Sequence, residues 1–95
     1  MKATVRQNRK AAEMLAVQAL TFLAAEPERL GRFLALSGIG PGDIRSAAQE
    51  PGFLAGVLEH MLGDEELLVA FADGAGIDAA LVAGACEALR ETRKT

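Results

Sequence analysis

The residues of this chain that could do chemistry are few, and they lie far apart in the sequence. His60 is the single histidine, Cys86 is the single cysteine, and the densest group of acids is Asp64-Glu65-Glu66. One further stretch, Gly38-Ile39-Gly40, has the spacing of a tight turn that could present backbone amides to an anion. Each of these features also has a purely structural interpretation, and the two must be compared.

His60 and Cys86 do not form a recognisable catalytic set. A general base needs a nucleophile within hydrogen-bond reach, and no Ser-His-Asp or Cys-His arrangement is visible in the sequence. We predict that His60 lies at the surface near a helix end, where partial positive charge suits the helix dipole. Cys86 falls on the inner stripe of a predicted helix, so we expect a buried, inert thiol.

The same inventory argues against a metal centre or a cofactor site. One histidine and one cysteine cannot supply the converging ligands that a metal site needs. We therefore predict no catalytic residue, no metal ligand and no cofactor, and hence no enzyme. An enzyme would instead require a pocket that joins His60 to acids or to Cys86.

The acidic run Asp64-Glu65-Glu66 has two interpretations. It has the composition of a helix start, with Asp64 as the cap and negative charge in the first turn. It could also form a speculative acidic patch for a basic partner. It lacks the alternating spacing and central glycine of a calcium-binding loop.

The stretch from Leu36 to Ile44 is predicted to be a corner between two helices. Gly38 has the properties of a left-handed cap that ends one helix, and Ile39 would fold back onto it. Pro41 suits the first position of a following short helix. This interpretation gives Gly38-Ile39-Gly40 a structural role without any ligand.

The same residues, Leu36-x-Gly38-Ile39-Gly40-Pro41, resemble the hairpin of helix-hairpin-helix DNA-binding domains. That resemblance implies a speculative phosphate-binding turn at Gly38, Ile39 and Gly40. The sequence departs from the family pattern at Ile44, where a small residue is expected, and at Asp43, which would repel a phosphate.

The charge distribution also disfavours nucleic acid as a partner. The chain carries a net charge of −3, but residues 11–89 hold three bases and twelve acids. The basic residues concentrate in 1–10 and 90–95, so any binding to a phosphate backbone would have to use these ends. Basic ends that are simply solvated explain the pattern equally well.

Composition and periodicity predict an all-helical domain. The chain is 51% hydrophobic and 24% charged, and its β-branched and aromatic residues never form an alternating run, so no strand is expected. Residues 1–9 are predicted to be a flexible basic lead-in, 10–90 a single helical domain, and 91–95 a flexible tail. Residues 11–25 are apolar almost all round, which is typical of a central helix buried on several sides.

Proline and glycine divide the remainder into further helices. We expect a second helix over 27–37, a short third over 41–49, a fourth over 51–62, a fifth after Asp64 and a sixth after Asp78. Gly31, inside the second helix, is predicted to allow close approach of another helix. The expected fold is an all-α, compact irregular array of five to six helices around a central first helix.

No membrane association is predicted. A basic start followed by residues 11–25 imitates a signal peptide, but Glu13 and Gln18 interrupt the apolar run, which is too short to span a bilayer. The single cysteine excludes an internal disulfide and fits a reducing cytoplasm.

Two longer segments resemble a family of short bacterial proteins of unknown function. They are LAVQALTFLAAEPERLGRFLALSGIGPGDIR, from Leu15 to Arg45, and EPGFLAGVLEHMLGDEELLVAF, from Glu50 to Phe71. The resemblance spans residues 10–90 and implies a cytoplasmic helical domain without an assigned activity.

The absence of a catalytic, metal or cofactor set, together with the high apolar content, predicts a non-enzymatic protein-interaction module. Its partner would be an unknown protein or a second copy in a homodimer. The alternative is weak DNA binding through Gly38-Ile39-Gly40 and the basic termini.

Overall fold

A computed structural model of the chain describes the backbone of residues 2–50 and 52–93 and the side chains of 9–40, 42–50 and 52–90. Six α-helices and one 3-10 turn are present in these residues, and no strand is. The helices are α1 (Lys2–Ala24), α2 (Pro27–Ser37), α3 (Ile44–Ala47), α4 (Phe53–Leu62), α5 (Glu65–Ala75) and α6 (Ala80–Arg93). The predicted all-α class is therefore confirmed.

The first helix is the central element, as predicted. It packs against α6, α4 and α2, with the largest contact on α6. Its inner face consists of Ala12, Ala16, Ala19 and Leu23, which are all buried. The three alanines, at spacings of three and four residues, present only methyl groups on this face. Neighbouring helices can therefore pack close to α1. The backbone of α1 is helical from Lys2, within the segment 1–9 that was predicted to be a lead-in.

The second helix has the predicted limits. Pro27 occupies its first turn, and Gly38 ends it in the left-handed conformation with φ +74°. The interpretation of Gly31 was wrong: a Cβ placed on it would have no atom within 4 Å outside its own helix backbone and chain neighbours. Because nothing approaches Gly31, it weakens α2 without a packing reason in this chain.

The segment between α2 and α4 is less regular than expected. A 3-10 turn at Pro41–Asp43 precedes the single turn of α3, where the sequence predicted one short helix over 41–49. The fourth helix begins at Phe53, two residues after the predicted start. The N-cap position of α4 is Gly52, which has no side chain that could accept a hydrogen bond from the first turn.

The fourth and sixth helices lie side by side and run in the same direction. The Sγ of Cys86 lies 3.9 Å from the carbonyl oxygen of Ala55, and four residues further along each helix Arg90 bonds Glu59. The core between α1, α4, α5 and α6 is completed by buried side chains that lie mostly on the predicted inner stripes: Phe53, Val57, Leu58, Met61, Phe71, Val82 and Leu89.

Capping defines the limits of α5 and the start of α6. The Asp64 side chain accepts a hydrogen bond of 3.2 Å from the backbone N–H of Leu67, which confirms its predicted role as a cap. Gly76, with φ +69°, ends α5 in the same left-handed conformation as Gly38. Asp78 accepts a 2.9 Å bond from the N–H of Ala80, at the first residue of α6.

No single helix in the described part of the chain is long and apolar enough to cross a bilayer. The pair α5 and α6 meets that length and hydropathy test together, but it is bent by 102° at the turn between them. The sixth helix extends to Arg93, into the predicted tail, and residues 94–95 lie outside the described residues.

Candidate functional site: an apolar groove between the first and last helices

The Gly38-Ile39-Gly40 stretch is built as a helix corner. The N–H of Gly38 donates to the carbonyl of Ala35 at 3.3 Å, and the N–H of Ile39 donates to Leu34 at 3.0 Å. These two bonds satisfy the last carbonyls of α2 in the pattern of a Schellman cap. The amides of Gly38 and Ile39 therefore point back into α2, and they are not available to an anion.

The remaining glycine of the turn has an acid beside it. The N–H of Asp43 donates to the carbonyl of Gly40 at 2.9 Å. A Cβ placed on Gly40 would lie 3.0 Å from Oδ2 of Asp43, so the carboxylate is held close to the glycine. Negative charge at this position opposes the binding of a phosphate.

The three residues of the acidic run differ in their surroundings. Asp64 is half-buried and engaged as the cap of α5, whereas Glu65 and Glu66 are exposed in the first turn. Their charge suits the positive end of the helix dipole, so the structure supplies each acid with a local role.

A polar cleft of about 370 Å³ lies between α2, α4 and α5. Its lining carries charges of both signs, from Arg29, Arg32, Asp64 and Glu66, and it includes the imidazole of His60. It brings His60 together with two acids but not with Cys86. No serine, threonine or cysteine is found among the described residues that line it, so it offers no side-chain nucleophile.

Two of the cleft's side chains are already engaged within the protein. The guanidinium of Arg29 lies 4.5 Å above the centre of the Phe22 ring, and its Nη1 is 3.6 Å from Oε2 of Glu26. Asp64 is committed to the N–H of Leu67. These contacts give Arg29 and Asp64 structural roles that need no ligand.

His60 is more than the surface residue that the sequence suggested. Its ring packs against Phe33, with centroids 5.2 Å apart and planes inclined by 73°. Burial lowers the pKa of His60, the positive charge of Arg32 lowers it further, and Asp64 acts in the opposite direction. These effects favour the neutral form of the imidazole, whereas a favourable interaction with the helix dipole would need the charged form.

Cys86 has the buried environment that was predicted. It is 1% exposed, on the α4-facing side of α6, and it is not among the residues that line the polar cleft. Within the residues that the structure describes, no group of three or more His, Cys, Asp or Glu side chains could hold a metal ion.

A second concave feature is a groove of about 590 Å³ between α1 and α6. Small side chains form most of it, together with three large apolar side chains: Met14 and Leu15 of α1 and Leu81 of α6. Met14 is 60% exposed and Leu81 is 56% exposed. The complete lining is Ala11, Ala12, Met14, Leu15, Gln18, Ala80, Leu81, Gly84, Ala85 and Ala88.

The lining contains no charged residue, and Gln18 is its one side chain with a polar group among the residues described. Val17, on the adjacent side of α1, is 51% exposed and extends the apolar surface beyond the groove. Its uncharged lining and exposed apolar side chains thus distinguish this groove from the polar cleft.

The sequence held the signal for this groove, but we interpreted it differently. Residues 11–25 were expected to be buried on several sides, and α1 is covered by α6, α4 and α2, but its remaining side leaves Met14 and Val17 exposed. On α6, the residues at 80, 84 and 88 are small and fall on one face at a spacing of four. An apolar helix and a helix with a small-residue face are the two patterns that together could have indicated the groove.

Comparison with known proteins gave one match. The family model described as "Protein of unknown function (DUF3572)" matches residues 9–92. Neither the curated proteins nor the solved structures gave a match.

Proposed function

The chain belongs to the DUF3572 family, which has no assigned function. From this premise we propose that it is a non-enzymatic protein-interaction module that binds its partner through the α1–α6 groove. The observation that carries the proposal is the exposure of Met14 and Leu81 on either side of an uncharged groove. Their burial against a partner would be favourable, at about 25 cal/mol for each Å² of apolar surface removed from water.

The proposal that the protein is not an enzyme is supported by the polar cleft. The pKa of His60 is lowered, and His60 lies in the cleft with Asp64 and Glu66. Its ring packs on Phe33, and Asp64 bonds a backbone N–H, so the pair is explained by packing and capping. A cytoplasmic location is part of the same proposal, supported by the presence of a single cysteine, which cannot form a disulfide within the chain.

Site-specific photocross-linking in the native cell tests the interaction. A photoreactive phenylalanine analogue replaces Leu81, and the matched control carries it at Val69, an exposed apolar residue of α5 outside the groove. We expect one discrete adduct, identified by mass spectrometry, from position 81 and none from position 69. An equal pattern at both positions, or no adduct from the groove, would contradict the proposal.

The DNA-binding alternative has weaker support. Two amides of the Gly38-Ile39-Gly40 turn are used within α2, and Asp43 lies against Gly40. If the alternative were correct, the full chain would bind duplex DNA with a strong salt dependence, and Gly40→Asp would abolish that binding. We expect no binding even at low salt, as measured by fluorescence anisotropy.

A further inference from the structure

Resting on the proposed function, we propose that the partner in the α1–α6 groove is a second copy of this chain, bound around a two-fold axis. A two-fold interface uses the same surface of both copies, so that surface must be complementary to itself. The groove meets this condition, because it combines two protruding side chains, Met14 and Leu81, with shallow positions at Ala11, Ala80 and Gly84.

Gly84 shows that the shallow positions are not required by packing within one chain. It lies in the middle of α6 and is exposed, and no atom outside its own helix backbone and neighbours comes within 4 Å of a Cβ placed on it. A glycine inside a helix costs about 1 kcal/mol relative to alanine. A second copy that packs its own Met14 or Leu81 against Gly84 gives that glycine a role.

The exposed area of the chain is large enough to supply such an interface. The chain exposes 6357 Å², whereas a compact monomer of 9.9 kDa is expected to expose about 5,200 Å². The outline of 41 × 29 × 18 Å accounts for part of this excess, since a thin body has more surface. An interface of standard size removes about 800 Å² of exposed surface from each partner. This area is smaller than the difference between the exposed area of the chain and that of a compact monomer.

Charges beside the groove favour one arrangement of the two copies. Phe22, near the end of α1, contacts Phe71 of α5, and α5 leads through a short turn into the start of α6. The end of α1 and the start of α6 therefore lie on the same side of the molecule, and Lys10 and Glu87 both lie toward the opposite side.

Lys10 precedes the groove residue Ala11, and Glu87 precedes the groove residue Ala88. A two-fold axis that runs parallel to α1 and α6 places α1 of one copy against α6 of the other. It thereby brings Lys10 of each copy toward Glu87 of its partner. Attraction between these charges favours this register and a second copy over an uncharged partner helix.

The first test measures the mass of the full chain by sedimentation equilibrium from about 5 to 500 μM, a range that covers moderate affinities. Wild type is expected to show a reversible monomer–dimer equilibrium. Gly84→Lys places a long side chain in the groove and should raise the dissociation constant at least about tenfold. Gly31→Lys is the matched control, because Gly31 is also an exposed helical glycine with open space around it, and it should leave the constant unchanged within about twofold.

Thermal unfolding by circular dichroism, at a concentration where wild type is monomeric, establishes that both lysine variants are folded. A wild type that stays monomeric over the whole range overturns the proposal. So does a dimer that Gly84→Lys leaves intact. If wild type is monomeric, the cross-linking at position 81 tests the proposed function separately. An adduct with another protein would support that function, and the absence of any adduct would contradict it.

A charge exchange tests the register independently of the glycine variant. Lys10→Glu should weaken the dimer by a few-fold, and the double variant Lys10→Glu/Glu87→Lys should restore the wild-type constant. The effect of the single variant should fall as salt is raised. Failure of the double variant to recover overturns the arrangement that stacks α1 on α6.

Discussion

The imidazole of His60 on α4 packs against the ring of Phe33 on α2, with centroids 5.2 Å apart and planes inclined by 73°. Phe33 is itself in contact with Phe53, at 6.0 Å between ring centres. The three rings join α2 to the start and the end of α4. Protonation of His60 would place a charge in this partly buried contact, and that has a measurable consequence.

The first prediction concerns the pH dependence of stability. The pKa of His60 is lowered in the folded protein, whereas the unfolded chain has the ordinary histidine pKa of about 6.5. The unfolded chain therefore binds a proton at this histidine more readily than the folded protein does. The stabilising effect of neutral His60 is therefore fully present above that pKa and is lost as the pH falls toward the folded value. Urea unfolding of wild type should show falling stability between about pH 7.5 and 5.5.

His60→Gln provides the control for this measurement, because glutamine does not titrate. The variant should lose less stability than wild type over the same interval of pH. Equal slopes for the two proteins would show that His60 does not carry the effect.

The second prediction uses two glycines, one within α2 and one at its end, that should respond oppositely to alanine. Gly31 has open space and lies within the helix, so Gly31→Ala should stabilise the protein by about 0.5–1 kcal/mol. Gly38 has φ +74°, where a Cβ is strained, so Gly38→Ala should destabilise it by about 1–2 kcal/mol. Urea unfolding gives both values, and shifts of the same sign would contradict the assignment of Gly38 as the left-handed cap.

The third prediction compares a buried and an exposed leucine. Leu58 is fully buried on α4, so Leu58→Ala should cost about 2–5 kcal/mol through lost burial and the cavity left behind. Leu36 is 69% exposed at the end of α2, and Leu36→Ala should change stability by no more than about 0.5 kcal/mol. Denaturant midpoints measure both, and a large loss for Leu36 would reveal a contact absent from this fold.

The fourth prediction concerns the cap of α5. Asp64→Ala removes the acceptor for the Leu67 N–H and should cost about 1 kcal/mol. Asp64→Asn retains an oxygen acceptor and should lose much less. If the two variants were equally destabilised, the negative charge of Asp64 would matter more than its hydrogen bond.

Much of the fold could be predicted because its signals are local. Pro27 and Gly38 define α2, since proline suits the first turn of a helix and glycine adopts the left-handed conformation that ends one. Asp64 defines the start of α5 through a hydrogen bond to a residue three positions away. The inner stripe of α6, Val82, Cys86 and Leu89, follows from the helical period alone.

The candidate site could not be predicted in the same way, because it depends on which faces other helices cover. Residues 11–25 are apolar almost all round, and that pattern fits burial on every side as well as it fits an open face. His60 illustrates the same limit, since its contact with Phe33 joins residues that are 27 positions apart.

The sequence by itself determined most of the helices, the caps at Gly38 and Asp64, and the burial of Cys86. Only the tertiary structure decided that α1 and α6 lie side by side and leave Met14 and Leu81 exposed beside a groove. The physical reason is that helix formation and capping depend on residues within a turn or two of each other. The exposure of a helix face depends instead on long-range packing, which no local pattern specifies.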